Sequence, residues 1–368
     1  LENNISHLID FEQCEVFENV LVSSVILGVE NTQRASDNKF LFHRFYKLNN
    51  NEFKIEFLTR QGHFGFFAQN NLDEQEWSFA TGAKAKLKKK LEVFPKVKDI
   101  EGVSVYRGVT TGYNPAFIIS NEQCDQVIAA DPNNAHIIKN LLQGRNIRKW
   151  YYNESEENLL FIPWHFPLDK NNISGASIQA EEALQEQYPS IYQWLLKYKT
   201  ELSNRNKEET GIRFEWYALQ RCAASYYKEF EKSEKIIWGL TADKWAFTLD
   251  TEQHYLPSNG YIMTSENLPI RYLLGLLNSK VLHYYFGYIG VMTAGGAYTL
   301  KAATIESLPI PLAPIAQQQP IIDLVDTILK KKQQNPQADT LTEEKEIDRL
   351  VYALYNLTPE EIALIEKG

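Results

Sequence analysis

The chain has 368 residues, with 38 Lys and Arg against 47 Asp and Glu, a formal charge of −9 and a pI near 5.4. Apolar residues make up 44% and aromatics 12%, which excludes a disordered or collagen-like chain and allows two or three domains with their own cores. Cys14, Cys124 and Cys222 lie too far apart for a disulfide framework or a CxxC metal knuckle.

The acidic total conceals its distribution. Residues 1–80 hold 6 basic and 12 acidic residues, residues 81–330 hold 27 of each, and residues 331–368 hold 5 basic and 8 acidic. The neutral centre bunches its cations. Lys84, Lys86, Lys88, Lys89 and Lys90 form one cluster. Lys139, Arg145, Arg148 and Lys149 form another, with no acid between Asp131 and Glu154. Phosphate binding needs a local positive footprint, not a positive total.

In chain order, residues 16–30 (VFENVLVSSVILGVE) read as a strand buried on both faces. Residues 39–46 and 53–58 read as short aromatic strands joined in a hairpin. The apolar stretch within residues 20–29 is too short and mixed to span a bilayer, and no basic-then-apolar signal segment opens the chain. These features point to a soluble protein of a reducing compartment, the cytoplasm. Because the first residue is Leu1, not Met, a piece of something longer is expected.

Residues 82–95 read as a lysine-rich helix ending at Pro95, and residues 102–120 as strand, turn and strand broken by Gly112 and Asn114-Pro115. Residues 137–142 read as helical, followed by a turn at Gly144. Residues 178–203 are the longest amphipathic candidate, broken near Pro189, with Ile191, Leu195, Tyr198 and Leu202 on a core face. Residues 268–286 form a second, strongly apolar helix, followed by a Gly-rich loop. Pro309, Pro311 and Pro314 mark a linker. Helices over 317–332 and 341–356 follow, then a short one opened by Thr358-Pro359-Glu360-Glu361. The fold class is mixed α/β (α+β).

Chemistry is sparse. No GxGxxG, GxxxxGK[ST], HExxH or GxSxG motif occurs. Asp37, Glu52 and Lys54 match the two acids and a lysine that hold Mg²⁺ in many nucleases, although an alternating strand with polar residues outward reads them more simply. No catalytic residue and no metal ligand is assigned.

The motifs in the rest of the chain carry a resemblance. YRGVTTGYNPAFII (106–119), LLQGRNIRKWYY (141–152), YPSIYQWLLKYKTELSNR (188–205), KIIW (235–238), LLGLLNSKVLHYYF (273–286), IESLPIP (305–311) and EKEIDRLVYALYNLTPEEIALIE (344–366) occur in that order. Together they resemble the specificity region of TaqI-type adenine-N6 DNA methyltransferases and type IIG (IIS) restriction–modification enzymes. VFENVLVSSVILGVE is similar to that family's "FENA" strand near the end of the catalytic domain, with Val20 in the place of Ala. The family's S-adenosylmethionine loop and its Asn-Pro-Pro-Tyr motif are absent here, since Asn114-Pro115 is followed by Ala-Phe.

The resemblance implies three segments. Residues 1–80 would be the last strands of a methyltransferase sheet, 81–315 a target-recognition domain, and 316–368 a helical tail. It implies a reader of double-stranded DNA, inactive alone, whose parent uses S-adenosylmethionine, and Mg²⁺ if a nuclease domain is present. Its partner would be a catalytic methyltransferase domain in the same or another chain. The alternative is a stand-alone specificity subunit that docks on separate subunits through Ile347, Leu350, Val351 and Leu354.

The expected phosphate contacts are Lys84, Lys86, Lys88, Arg145, Arg148 and Lys149. Arg145 and Asn146, on an exposed turn, suit guanine and adenine edges. Thr111, Tyr113 and Asn114 form a polar turn with an aromatic tip, and Tyr298 and Lys301 belong to a glycine-containing loop. Trp150, Trp164 and Trp238 read as core residues rather than stacking platforms.

Overall fold

A computed structural model describes residues 2–11, 24–33, 35–45, 63–72, 82–168, 175–292 and 297–367. Among these, β1 (Asn3–Asp10), β2 (Val25–Gln33), β3 (Lys39–Arg44) and β4 (His63–Ala68) form a sheet in the order β2-β1-β3-β4. β1 and β3 run parallel, and the other pairs are antiparallel. Ile5, Leu8, Phe40, Phe42 and Phe67 form its small core.

The expectation of a strand buried on both faces fails for β2. Val25, Ile26, Leu27 and Val29 are 43–57% exposed, and β2 lies at the edge of the sheet among the described residues. An apolar run reports a demand for burial, not which element meets it. Residues 16–23 and 53–58 lie outside the described residues, as do Glu52 and Lys54 of the Mg²⁺ candidate set; Asp37 is an exposed turn residue.

The rest of the chain is built on one antiparallel sheet. Helix α1 (Gly82–Leu91) leads to β5 (Val103–Arg107). This strand joins β11 (Lys235–Gly239), β13 (Thr248–Asp250) and β14 (Gly260–Ser265) in the order β13-β11-β14-β5. The sheet is covered on both sides, which is why β11 reads KIIWG without polar alternation beyond Lys235. Side chains two residues apart share a face. Ile236, Trp238, Tyr261 and Met263 therefore enter one core, while Ile237 and Ile262 enter the other.

The second core is closed by the small sheet β6-β10-β7 (Ile118–Ser120, Glu157–Leu160, Ile138–Asn140) and by helices α3 (Ile178–Gln187) and α4 (Pro189–Leu196). Ile191, Leu195 and Leu202 are fully buried there, with Tyr198 packed at the margin. Helix α2 (Asn121–Ala130) precedes this group, opened by a reciprocal Ser120–Gln123 capping box. Residues 138–140 are strand rather than helix: the β-branched pair Ile137-Ile138 feeds a ladder to β10. Residues 102–120 hold the two expected strands, β5 and β6, with a short helical turn at Asn114–Phe117 between them, but the strands belong to different sheets.

The first core holds the remaining helices. The apolar segment 268–286 is divided at Asn278–Ser279 into α5 (Ile270–Leu277) and α6 (Lys280–Ile289). The proline segment is not a free linker. Ile310 N donates to Pro95 O, Tyr272 OH to Pro311 O and Tyr355 OH to Pro309 O. Helices α7 (Ile315–Gln334), α8 (Leu341–Leu354) and α9 (Pro359–Lys367) pack on the same core through Ile321, Val325, Ile347, Val351 and Ile365. Ile347 and Val351 are buried and Leu350 and Leu354 partly so, so the face expected to dock another subunit is occupied by the chain's own core. Trp150 and Trp238 are buried in this core, and Trp164 packs against the second.

Candidate nucleic-acid interface

The turn Gly144–Asn146 lies on the end of the central strand. A Cβ on Gly144 would come within 3.2 Å of the Gly239 Cα, and one on Gly239 within 3.2 Å of the Gly144 Cα. Two glycines are needed for that backbone approach, and they lift Arg145 to the surface. Its side chain is 73% exposed, with one guanidinium nitrogen 3.3 Å from Glu157. The exposed Arg148 donates to the carbonyls of Arg145 and Ile147, which holds the turn from below.

Asn146 departs from the expectation of an exposed base reader. It is half-buried, its Nδ2 donates to Glu154 O, and its Oδ1 has no partner among the described residues. Lys149 is ion-paired with Glu344 and lies over the Trp150 ring at 5.6 Å. Burial pushes the Glu344 carboxyl up, but Lys149 and Thr340 outweigh this and hold it below the ordinary carboxylate range.

Two of the positions expected from separate motifs meet here. Lys149 and Tyr298 line one cleft of about 270 Å³, together with Asp243, Lys244, Trp245, Asn278, Ser279, Lys280 and His283. The strand pair β12 (Thr241–Ala242) and β16 (Tyr298–Thr299) forms one wall, with Ala242 opposite Tyr298. This ribbon is tied to the central strand, because Leu300 N donates to Leu240 O and Trp238 Nε1 donates to Leu300 O. The Tyr298 hydroxyl and His283 Nε2 are hydrogen-bonded at 2.8 Å, and Trp245 stacks on the His283 ring at 5.3 Å. Burial, with Lys149 nearby, lowers the His283 pKa below its ordinary value, and burial raises that of Tyr298. Lys301 is exposed one turn beyond, at the N-cap of Ala302–Ile305.

The other expected residues lie apart. Thr111 is buried and its hydroxyl donates to Asn114 Oδ1, while Tyr113 packs on Tyr198. The loop is held by Arg205, whose guanidinium donates to the carbonyls of Leu202, Thr111, Glu215, Trp216 and Ala218. Burial lowers its pKa to about 10, so Arg205 keeps its charge at neutral pH. Of the α1 lysines, Lys84 and Lys86 are exposed, whereas Lys88 pairs with Glu92. Tyr288, at the far end of α6 from the cleft, donates to Lys84 O.

Lys244, Lys280 and His283 were not singled out by sequence. Lys280 is the last letter of the LLNSK motif, but convergence of the three on one cleft depends on how α6 and the β12–β16 ribbon pack. Among the described residues, no group of three His, Cys, Asp or Glu side chains could hold a metal ion, and no helix is long and apolar enough to cross a membrane.

This is an α+β module with a glycine-seated arginine turn beside a lysine-lined cleft. Residues 139–310 match the family model of the TaqI-like C-terminal specificity domain. The type II methyltransferase M.MjaIV of Methanocaldococcus jannaschii is 25% identical over 275 residues, covering 73% of this chain and 84% of that protein. The type IIL restriction-modification enzyme MmeI, solved in complex with DNA, shares the fold with a TM-score of 0.58 at 14% identity. A similarity to the type IIG restriction endonuclease BpuSI has a TM-score of 0.42 at 14% identity. This chain is covered to 98% in both, but spans only 44% of either enzyme.

Proposed function

We propose that this chain reads a sequence in double-stranded DNA as the specificity region of a restriction–modification adenine-N6 DNA methyltransferase or endonuclease. The observation that carries the reading is a coincidence of position: the exposed Arg145 turn and the lysine-lined cleft both fall within the stretch that matches the specificity-domain family. M.MjaIV is named a type II methyltransferase and MmeI was solved with DNA, and both support the assignment.

Phosphate contacts position such a reader and base-edge contacts specify. The exposed Arg145 and the half-buried Tyr298 are the base-edge candidates, and Arg148, Lys149 and Lys301 the phosphate candidates. Lys84 and Lys86 would extend the phosphate track along α1. Thr111, Tyr113 and Asn114 would act as a separate contact loop. Residues 1–80 are read as the end of a methyltransferase sheet, 81–315 as the target-recognition domain and 316–368 as a tail integrated into its core. The parent protein would use S-adenosylmethionine, and Mg²⁺ if it carries a nuclease domain, in the cytoplasm. The catalytic methyltransferase domain, in the same or another chain, is the expected partner.

Fluorescence anisotropy with labelled duplexes at several salt concentrations tests this. Arg145→Ala is expected to weaken binding to the preferred duplex by about 1–3 kcal/mol, the worth of a good bidentate base contact. Arg148→Ala is expected to reduce the salt dependence with little change in sequence preference. Unchanged binding in both variants would remove the turn from the interface.

A further inference from the structure

The cleft has a chemistry that the turn and loop do not explain, and we propose that it seats one phosphodiester group of the duplex backbone. The proposal rests on the reading of the chain as a DNA reader and adds a named site to it. Lys149, Lys244 and Lys280 come from three separated segments and converge on this one cleft, beside Ser279 and Asn278. Asp243 is the acid in the lining.

Lys149 and Lys280 have carboxylate partners, Glu344 and Glu366. Lys244 is exposed and makes no ion pair among the described residues. The Lys149–Glu344 pair is partly buried, but the Lys280–Glu366 pair is exposed, and exposed ion pairs are worth roughly 0–1 kcal/mol, so sharing Lys280 with an arriving phosphate sacrifices little. The attraction comes from the side chains. At the start of α6 the Lys280 amide donates to the buried Asp348, and Leu282 N donates to Ser279 Oγ. These helix-end donors are already used.

Size and position select the ligand. A volume of about 270 Å³ lies just under the roughly 300–1,000 Å³ of pockets that enclose drug-sized ligands. It admits a tetrahedral phosphate and the start of its ester arms. On one side the wall is the β12–β16 ribbon that carries Tyr298; Lys149 on the other follows the Arg145 turn. A phosphate held between them would fix both base-reading elements in register with the duplex, which is the work backbone contacts do in sequence readers.

The full chain with Lys244→Gln is compared with wild type by anisotropy over a salt series, using a preferred and a scrambled duplex, with Lys330→Gln as a control on exposed α7 surface. Loss of one phosphate contact lowers the slope of log K against log salt by about 0.9. The expected result is that drop in Lys244→Gln, equal for both duplexes, with Lys330→Gln matching wild type. An unchanged slope in Lys244→Gln, with wild type binding normally, overturns the cleft assignment while leaving the DNA reading intact. Failure of wild type to bind any duplex defeats the DNA reading itself, and the cleft assignment with it.

Inorganic phosphate titrated into the full chain separates the two sources of phosphate. Saturable shifts of the Lys244 and Ser279 amide resonances that duplex reverses by competition support the proposal. Saturation with no competition from duplex assigns the cleft to a free anion and overturns it.

Discussion

Arg205 shows how one residue can hold a loop without touching any other side chain's charge. Its five carbonyl acceptors come from residues 111, 202, 215, 216 and 218, so the clamp cannot be read from residue types, although the arginine itself stands in a motif. Gly112, by contrast, was legible as a turn, and the structure supplies the reason. Its φ is +76°, and a Cβ there would come within 2.6 Å of Arg205 Cδ. Because Arg205 is held on all sides, Gly112→Ala is expected to destabilise the fold by about 1–3 kcal/mol, read as a lower urea midpoint. The buried ion pair of Lys235 and Asp250 makes a second prediction. Lys235→Met leaves the carboxylate with the His254 ring and the backbone amides of Glu252 and His254, and a loss of about 3–5 kcal/mol is expected from breaking such a pair on one side. For His283 the sign follows from its lowered pKa. As pH falls below the ordinary histidine value, the unfolded chain takes up the proton first, so stability declines toward the lower folded value. The lysines 149, 244 and 280, Asp243 and Tyr298 share that cleft and oppose or accompany the charge. Comparing His283→Gln with wild type in urea titrations from pH 7.5 down to 5 should show a shallower decline in the variant; parallel curves would contradict it.

At the scale of elements, sequence signals with local causes survived and those needing a neighbour did not. The α9 opening is an example of the first kind: Thr358 N donates to Glu361 and Glu361 N donates to the Thr358 hydroxyl, as the Thr-Pro-Glu-Glu string implies. The same logic was available for α2 in Ser120-x-x-Gln123, where it was missed. The proline segment 309–314 reads as a linker from composition, yet Tyr272, Tyr355 and the Pro95 carbonyl fasten it to the core. Those partners lie 39 or more residues away in sequence. The tail helices follow the same rule: their apolar stripe was visible, but not what it covers. Ile347→Ala is therefore expected to cost about 2–5 kcal/mol, lowering the urea midpoint with the slope unchanged. A stripe free to dock another subunit would show no such loss in the isolated chain.

For the molecule as a whole, net charge proved a poor guide to partners. The −9 total is carried by the two flanking segments, while the neutral centre places an exposed arginine turn against the end of the central strand and three lysines in one cleft. The fold class and the order of motifs were legible because each motif is local. The cleft was not, since Lys149, Lys244 and Lys280 converge only after the ribbon and α6 pack against the central sheet. Base preference, in turn, is set by the geometry of loops and turns rather than by any string of residues. The most direct measurement is selection from a pool of randomised duplexes on the full chain, with sequencing of the retained DNA. Enrichment of one short sequence is expected, weakened in the arginine-turn variant Arg145→Ala with preference relaxed at one base position, while salt-sensitive binding to all duplexes persists. Retention of no duplex, or retention without any enriched sequence, would contradict it.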